Sequence, residues 1–100
     1  MIRLCDLGSE AVALRYTVNS VCCLEEKFGK ALHSLLCTDV SSVRALLWCG
    51  MLFSKPECTL EDAGEKLEAA LRAGKSLQEI ASCCASALTD AGFFRRAEGA

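Results

Sequence analysis

The least polar part of the chain is Val43-Arg44-Ala45-Leu46-Leu47-Trp48-Cys49-Gly50-Met51-Leu52-Phe53, which carries one charge, on Arg44. A helix of this composition is apolar on nearly all sides, so it is either the central element of a core or a contact between subunits. The stretch is about half as long as a membrane-spanning helix, and we predict no membrane partner. We expect the helix to begin after an N-cap at Asp39 or Ser41 and to end at Leu52 or Phe53. Gly50 in its interior costs about 1 kcal/mol relative to Ala, which suggests a close helix approach there.

Two amphipathic helices are predicted after the central one, and each begins at a capping box. Thr59 and Asp62 form the first box, and Ser76 and Glu79 form the second. An ion pair between Asp62 and Lys66 is expected on the solvent side of the first of these helices. The two buried stripes, recognised from their helical spacing, contain Leu60, Ala63, Gly64, Leu67, Ala70 and Leu71 in one helix, and Leu77, Ile80, Ala81, Cys84, Leu88 and Ala91 in the other.

The segment before the central helix is predicted to contain a hairpin and a shorter helix. Alternation of apolar and polar residues indicates two short strands around a turn, with the even-numbered residues on the apolar face of each strand. Asn19 is the expected N-cap of a helix from Ser20 to Phe28, which Gly29 ends. A short turn over residues 31–36 follows. The even-numbered apolar residues of the hairpin are Ile2, Leu4, Val12, Leu14 and Tyr16.

These elements predict a mainly α fold, a compact bundle of about four to five helices with a short N-terminal β-hairpin. We expect one domain over residues 1–94, with the hairpin over 1–17, and a disordered tail over 95–100. A chain of 100 residues has room for a single core. Its composition, 52% hydrophobic and 24% charged, excludes an intrinsically disordered protein.

Net charge and the first residues narrow the class of function. The net charge of −2 argues against a nucleic-acid partner, because binding to phosphates requires a basic face. The first residues lack the apolar run of a secretory signal, so we expect a cytoplasmic protein with reduced thiols. Most of the eight cysteines are then interpreted as small core hydrophobes. Cys84 is expected to be among the least accessible and Cys23 the most accessible.

No motif in the sequence points to a catalytic residue, a cofactor or a metal. His33 is the only histidine, and no other ligand lies at metal-binding spacing from it. The adjacent thiols of Cys22 and Cys23, and those of Cys83 and Cys84, do not meet the geometry of an unstrained disulfide on a helix. We therefore predict a non-enzymatic interaction domain.

Several blocks resemble, in their order and spacing, one family of proteins. Residues 14–30 combine an extended segment, an Asn-led helix and Leu-Glu-Glu just before a Gly. Residues 43–52 are similar to an Arg-x-Leu-Leu-Trp-Ala-Gly-Leu stretch, residues 60–64 follow a Pro-containing loop, and residues 87–93 match the family's ending. The family is that of the small tail assembly chaperones of long-tailed phages, prophages and gene-transfer agents. The chain departs from it in its cysteines, since positions such as Cys49 usually hold Ala or another small residue.

The resemblance implies an assembly factor without enzymatic activity. Such proteins bind the tape measure protein, whose long apolar helices would otherwise aggregate, and they tend to self-associate. Reasoning from the residues alone keeps an alternative open, namely a bacterial helical adaptor domain with an unrelated partner. A thiol-based metal or redox module is a third possibility.

The partner or oligomer surface is expected on the central helix, at Leu47, Trp48, Met51 and Phe53. A chain of this size is expected to cover only part of a helix that is apolar on all sides. The remainder would form an exposed patch for a second copy of the chain or for a tape measure helix. Trp48 is the expected anchor, because large aromatic side chains dominate the energetics of interfaces.

Overall fold

A computed structural model describes residues 2–8, 10–35 and 39–93, with the backbone alone for His33. The predicted mainly α class with an N-terminal hairpin is confirmed. None of the described helices is long and apolar enough to cross a bilayer. The predicted tail over residues 95–100 lies outside the described residues. The elements, in chain order, are β1 (Arg3–Asp6), β2 (Ala11–Leu14), α1 (Val18–Phe28), a 3₁₀ turn (Leu32–Leu35), α2 (Val40–Met51), α3 (Leu60–Arg72) and α4 (Leu77–Asp90).

Helix α2 is the centre of the core. It contacts α1, α3, α4, β2 and the 3₁₀ turn, so neighbours surround it on all sides. Each residue from Ser42 to Met51 is buried, except Arg44. The chain covers α2 more fully than the sequence predicts, although Val40 at its start and Phe53 just after its end stay about half exposed. The hairpin and the 3₁₀ turn make the difference, because they cover sides of α2 that the other helices leave open.

The hairpin buries a different face of its first strand from the one that the alternation predicts. The strands are antiparallel, with Cys5 opposite Val12 and Leu4 opposite Ala13. Opposite residues share a face, and here each pair joins an odd-numbered to an even-numbered residue. Cys5 and Leu14 are therefore buried together, whereas Leu4 is 69% exposed. The predicted buried face is right for β2 and wrong for β1.

Helix α1 begins two residues earlier than the sequence predicts, because Thr17 rather than Asn19 is its N-cap. The Thr17 hydroxyl accepts a hydrogen bond from the backbone N–H of Ser20 at 3.1 Å, and the Ser20 hydroxyl accepts one from the backbone N–H of Thr17 at 3.0 Å. This reciprocal pair satisfies two amides that the helix end would otherwise leave free. Gly29 ends the helix in the left-handed conformation, φ 64°, as predicted.

Both predicted capping boxes are present at the starts of α3 and α4. The Thr59 hydroxyl accepts from the backbone N–H of Asp62, and the Ser76 hydroxyl accepts from that of Glu79, each at 3.1 Å. In return, the carboxylates of Asp62 and Glu79 accept hydrogen bonds from the backbone N–H of Thr59 and Ser76. These local bonds place the first turns of both helices where the sequence predicts them.

Ion pairs tie the hairpin to the last two helices. Lys66 binds Glu10 at 2.9 Å, so the predicted pair between Lys66 and Asp62 is wrong. The Asp62 carboxylate is engaged at the helix start instead, while the loop between the strands brings Glu10 to Lys66. At the other end of the hairpin, Arg3 binds Asp90 of α4 at 2.7 Å. Such exposed pairs contribute little stability each, but they fix where the hairpin lies.

Candidate functional site

Three of the four residues expected on a partner surface lie in the core of the chain. Leu47 is fully buried, Met51 is 3% exposed and Trp48 is 8% exposed. The indole N–H of Trp48 donates to the backbone carbonyl of Cys58 at 3.1 Å, which ties the loop before α3 to α2. These side chains hold the domain together and offer little surface to a partner. Only Phe53, 46% exposed, lies on the outside.

Phe53 lies beside a shallow cleft between α1 and the end of α2. The guanidinium carbon of Arg15 is 4.5 Å from the centroid of its ring, a cation–π contact. Leu52 and Cys23 line the same cleft, whose volume is about 280 Å³. The Arg15 guanidinium covers part of the Phe53 ring and so reduces the apolar surface that this cleft offers.

A larger groove of about 450 Å³ runs between α2 and α3, and we refer to it as the α2–α3 groove. Its apolar part consists of Val40, Leu67 and Leu71, with Gly64 between them along α3. Leu67 is buried and forms the floor, whereas Val40 is 55% exposed and Leu71 39% exposed. Two large apolar side chains in the lining of the groove are therefore open to solvent.

Carboxylates edge the α2–α3 groove. Glu61, Glu65 and Glu68 line it against a single lining cation, Arg44. Glu68 is paired with Arg72 at 2.6 Å, while neither Glu61 nor Glu65 forms an ion pair within the described part of the chain. The buried Nε of Arg44 likewise has no hydrogen-bond partner among the described residues. The groove thus combines an apolar floor with a net negative edge.

A third cleft lies between α3 and the loop that precedes it. Its volume is about 560 Å³, and its lining includes a thiol. This thiol, of Cys58, is buried, and burial raises its pKa, with smaller contributions from the carboxylates of Asp62 and Glu57. A nucleophilic cysteine requires a lowered pKa, because the thiolate is the reactive form. The environment of Cys58 therefore favours a structural role.

Among the other described thiols, those of Cys5, Cys49 and Cys84 are buried, that of Cys83 is half-buried, and those of Cys22 and Cys23 are exposed. Burial raises the pKa of Cys84 to about 12 and that of Cys49 to about 11. Cys22 and Cys23 are exposed on α1, as expected for Cys23. Across residues 2–8, 10–35 and 39–93, no group of three His, Cys, Asp or Glu side chains is arranged to hold a metal ion.

We expect thiol labelling to follow this division. Under native conditions Cys22 and Cys23 should react with N-ethylmaleimide at least about tenfold faster than Cys49 and Cys84, because the latter are buried and protonated. Mass spectrometry of peptides after short pulses measures the rates, with urea-unfolded protein as the control that gives equal labelling. Rapid native labelling of Cys84 would contradict the placement of α4 against the core.

Comparison of the chain with protein-family models, with curated proteins and with solved structures finds no match. The candidate site is therefore defined by the residues and the geometry of this chain alone. The sequence prediction missed the exposed apolar residues of the α2–α3 groove, Val40 and Leu71, and its carboxylates. One signal was available, because Glu61, Glu65 and Glu68 recur at i, i+4 and i+7, which places them on one side of a helix.

Proposed function

We propose that the chain is a non-enzymatic tail assembly chaperone of the phage type, acting in the cytoplasm of the host cell. It binds the tape measure protein and keeps its apolar helical segments from aggregating while the tail is built. The resemblance in residues 14–30, 43–52, 60–64 and 87–93 supports this partner. The chain itself requires no cofactor for such a role.

The observation that carries the proposal is exposed apolar surface on a chain whose core is already filled. A chaperone of this kind must present apolar groups in its folded state, since its client is apolar. Here α2 is buried from Ser42 to Met51 apart from Arg44, so the exposed side chains are not left over from an incomplete core. Among the described residues, the large apolar side chains open to solvent are Ile2, Leu4, Val18, Val40, Phe53 and Leu71.

The burial of the second resembling block, residues 43–52, moves the expected contact surface away from it. Leu47 and Trp48 belong to the second block and lie in the core, where they determine packing. Contact with a client therefore falls to side chains that the core leaves open, such as Val40 and Leu71. Self-association of the chain would use the same kind of surface, and light scattering of the pure protein measures it.

Coexpression with the tape measure protein encoded in the same genome tests the proposal. We expect the tape measure protein to be insoluble alone and to be recovered in a soluble complex when the chain is present. Insoluble tape measure protein with the chain present, although the chain itself is folded, would contradict the proposal. That outcome would favour the alternative of an adaptor domain with an unrelated partner.

Two variants test whether the yield of complex depends on the exposed apolar surface of the chain. Leu47→Ala weakens the core and should lower the yield of complex only as far as it lowers the amount of folded chain. Val40→Asp places a charge on the exposed surface, without disturbing a core residue, and should lower the yield of complex while the chain stays folded.

A further inference from the structure

We propose that the α2–α3 groove binds an amphipathic helix of a partner protein whose apolar stripe is flanked by basic residues. This inference rests on the proposed function, because it names the surface and the kind of tape measure segment that would meet there. Helix-in-groove recognition needs an apolar floor for the stripe and an edge of complementary charge for its flanks. The groove offers both.

The shape and the apolar lining of the α2–α3 groove suit the apolar stripe of a helix. Leu67 is buried at the floor, and Val40 and Leu71 line the groove with enough exposed surface to contact a bound helix. Gly64 has no side chain, so this part of α3 leaves room between the two helices. A Cβ built at Gly64 would lie 3.3 Å from Cδ of Arg44, and a larger side chain would occupy the groove. The missing side chain therefore keeps the groove open.

The carboxylates along the α2–α3 groove favour a basic partner. Glu61, Glu65 and Glu68 share one side of α3, where like charges one turn apart destabilise a helix. Only Glu68 has a cation paired with it among the described residues, and that cation is Arg72. An arrangement that is unfavourable in the free chain becomes favourable when lysine or arginine side chains of a partner lie along it.

The charge balance also distinguishes a foreign partner from a second copy of the chain. The chain carries a net charge of −2, so a copy brought to this groove would add further negative charge. A basic segment lowers the repulsion between Glu61 and Glu65, whereas an acidic one raises it.

Two designed peptides test this inference. Each is a helix of about 18 residues with leucines at i, i+3, i+4 and i+7, and the flanking positions are lysine in one and glutamate in the other. We expect the lysine peptide to bind the wild-type chain and the glutamate peptide to bind at least about tenfold more weakly. Fluorescence polarisation at low salt measures both, and added salt should weaken binding of the lysine peptide.

Variants of the chain locate the binding site. The double variant Glu61→Lys/Glu65→Lys should weaken binding of the lysine peptide at least about tenfold, and Gly64→Leu, which fills the groove, should also weaken it. The matched control is Glu26→Lys/Glu57→Lys, which changes the net charge equally at exposed positions outside the groove. Circular dichroism verifies that each variant is folded.

The outcomes separate this inference from the proposed function. Equal binding of the two peptides, equal loss in the control variant, or no binding of the lysine peptide would overturn the groove assignment. If Glu61→Lys/Glu65→Lys still solubilises the tape measure protein as the wild type does, the function stands and the groove is wrong. If the wild type does not solubilise the tape measure protein, yet binds the lysine peptide through the groove, the groove stands and the partner is another protein.

Discussion

Leu47→Ala should lower the free energy of unfolding by about 2–5 kcal/mol, the range for removing a buried leucine side chain from a packed core. Leu47 is fully buried in the middle of α2, which the other elements surround. The substitution removes apolar contacts and leaves a cavity that the surrounding helices can close only in part. Urea unfolding followed by circular dichroism measures the change.

Leu71→Ala is the matched control for Leu47→Ala, since the chemical change is the same. Leu71 is 39% exposed at the end of α3, so we expect a loss of less than about 1 kcal/mol. Equal and small losses for the two variants would mean that α2 is a surface helix rather than the core. A large loss for Leu47→Ala alone agrees with a core role, and a charged residue at this position should then prevent folding.

Gly50→Ala is expected to lower the free energy of unfolding by about 1–3 kcal/mol, the usual range for overpacking a core. A Cβ at this position would lie 2.8 Å from Cδ2 of Leu14 and 3.0 Å from Cζ of Tyr16. Tyr16 cannot easily move away, because its hydroxyl donates to the backbone carbonyl of Leu46 and its ring is buried. The clash outweighs the gain in helix propensity of about 1 kcal/mol that alanine brings.

Gly64→Ala is the control for Gly50→Ala, since both glycines lie inside helices. At Gly64 a Cβ would meet only Cδ of Arg44, at 3.3 Å, and that side chain is flexible enough to shift by a few tenths of an ångström. The gain in helix propensity should then prevail and raise the free energy of unfolding by up to about 1 kcal/mol. Unfolding in urea measures both variants. Stabilisation by Gly50→Ala would show that the hairpin does not lie against α2 there.

The sequence suggests a close approach at Gly50 but does not identify what approaches. The expected neighbour is another helix, whereas the structure places the hairpin there through Leu14 and Tyr16. The backbone carbonyl of Gly50 also accepts a hydrogen bond from the backbone N–H of Arg15 at 3.0 Å. The missing side chain is visible in the sequence, while the neighbour depends on chain segments that are far apart.

The sequence by itself determines the helices of this protein and the residues that begin α3 and α4. The capping boxes at Thr59 and Ser76 are made within four residues, so their hydrogen bonds form wherever the rest of the chain lies. The cap of α1 is also local, and the error at Asn19 came from competition between two good capping residues, of which Thr17 has a reciprocal partner. Local chemistry of this kind can be read from spacing alone.

The tertiary structure decides which apolar surfaces remain open. The pairing of Cys5 with Val12 places Cys5 on the buried face of β1 and Leu4 on the exposed face. The alternation of apolar residues in the sequence predicts that Leu4 is buried. The packing of five neighbours around α2 buries Leu47 and Trp48 and leaves Val40 and Leu71 exposed along a groove. The physical reason is that burial is a property of contacts between segments remote in sequence, and the periodicity of one segment does not specify which other segment covers it.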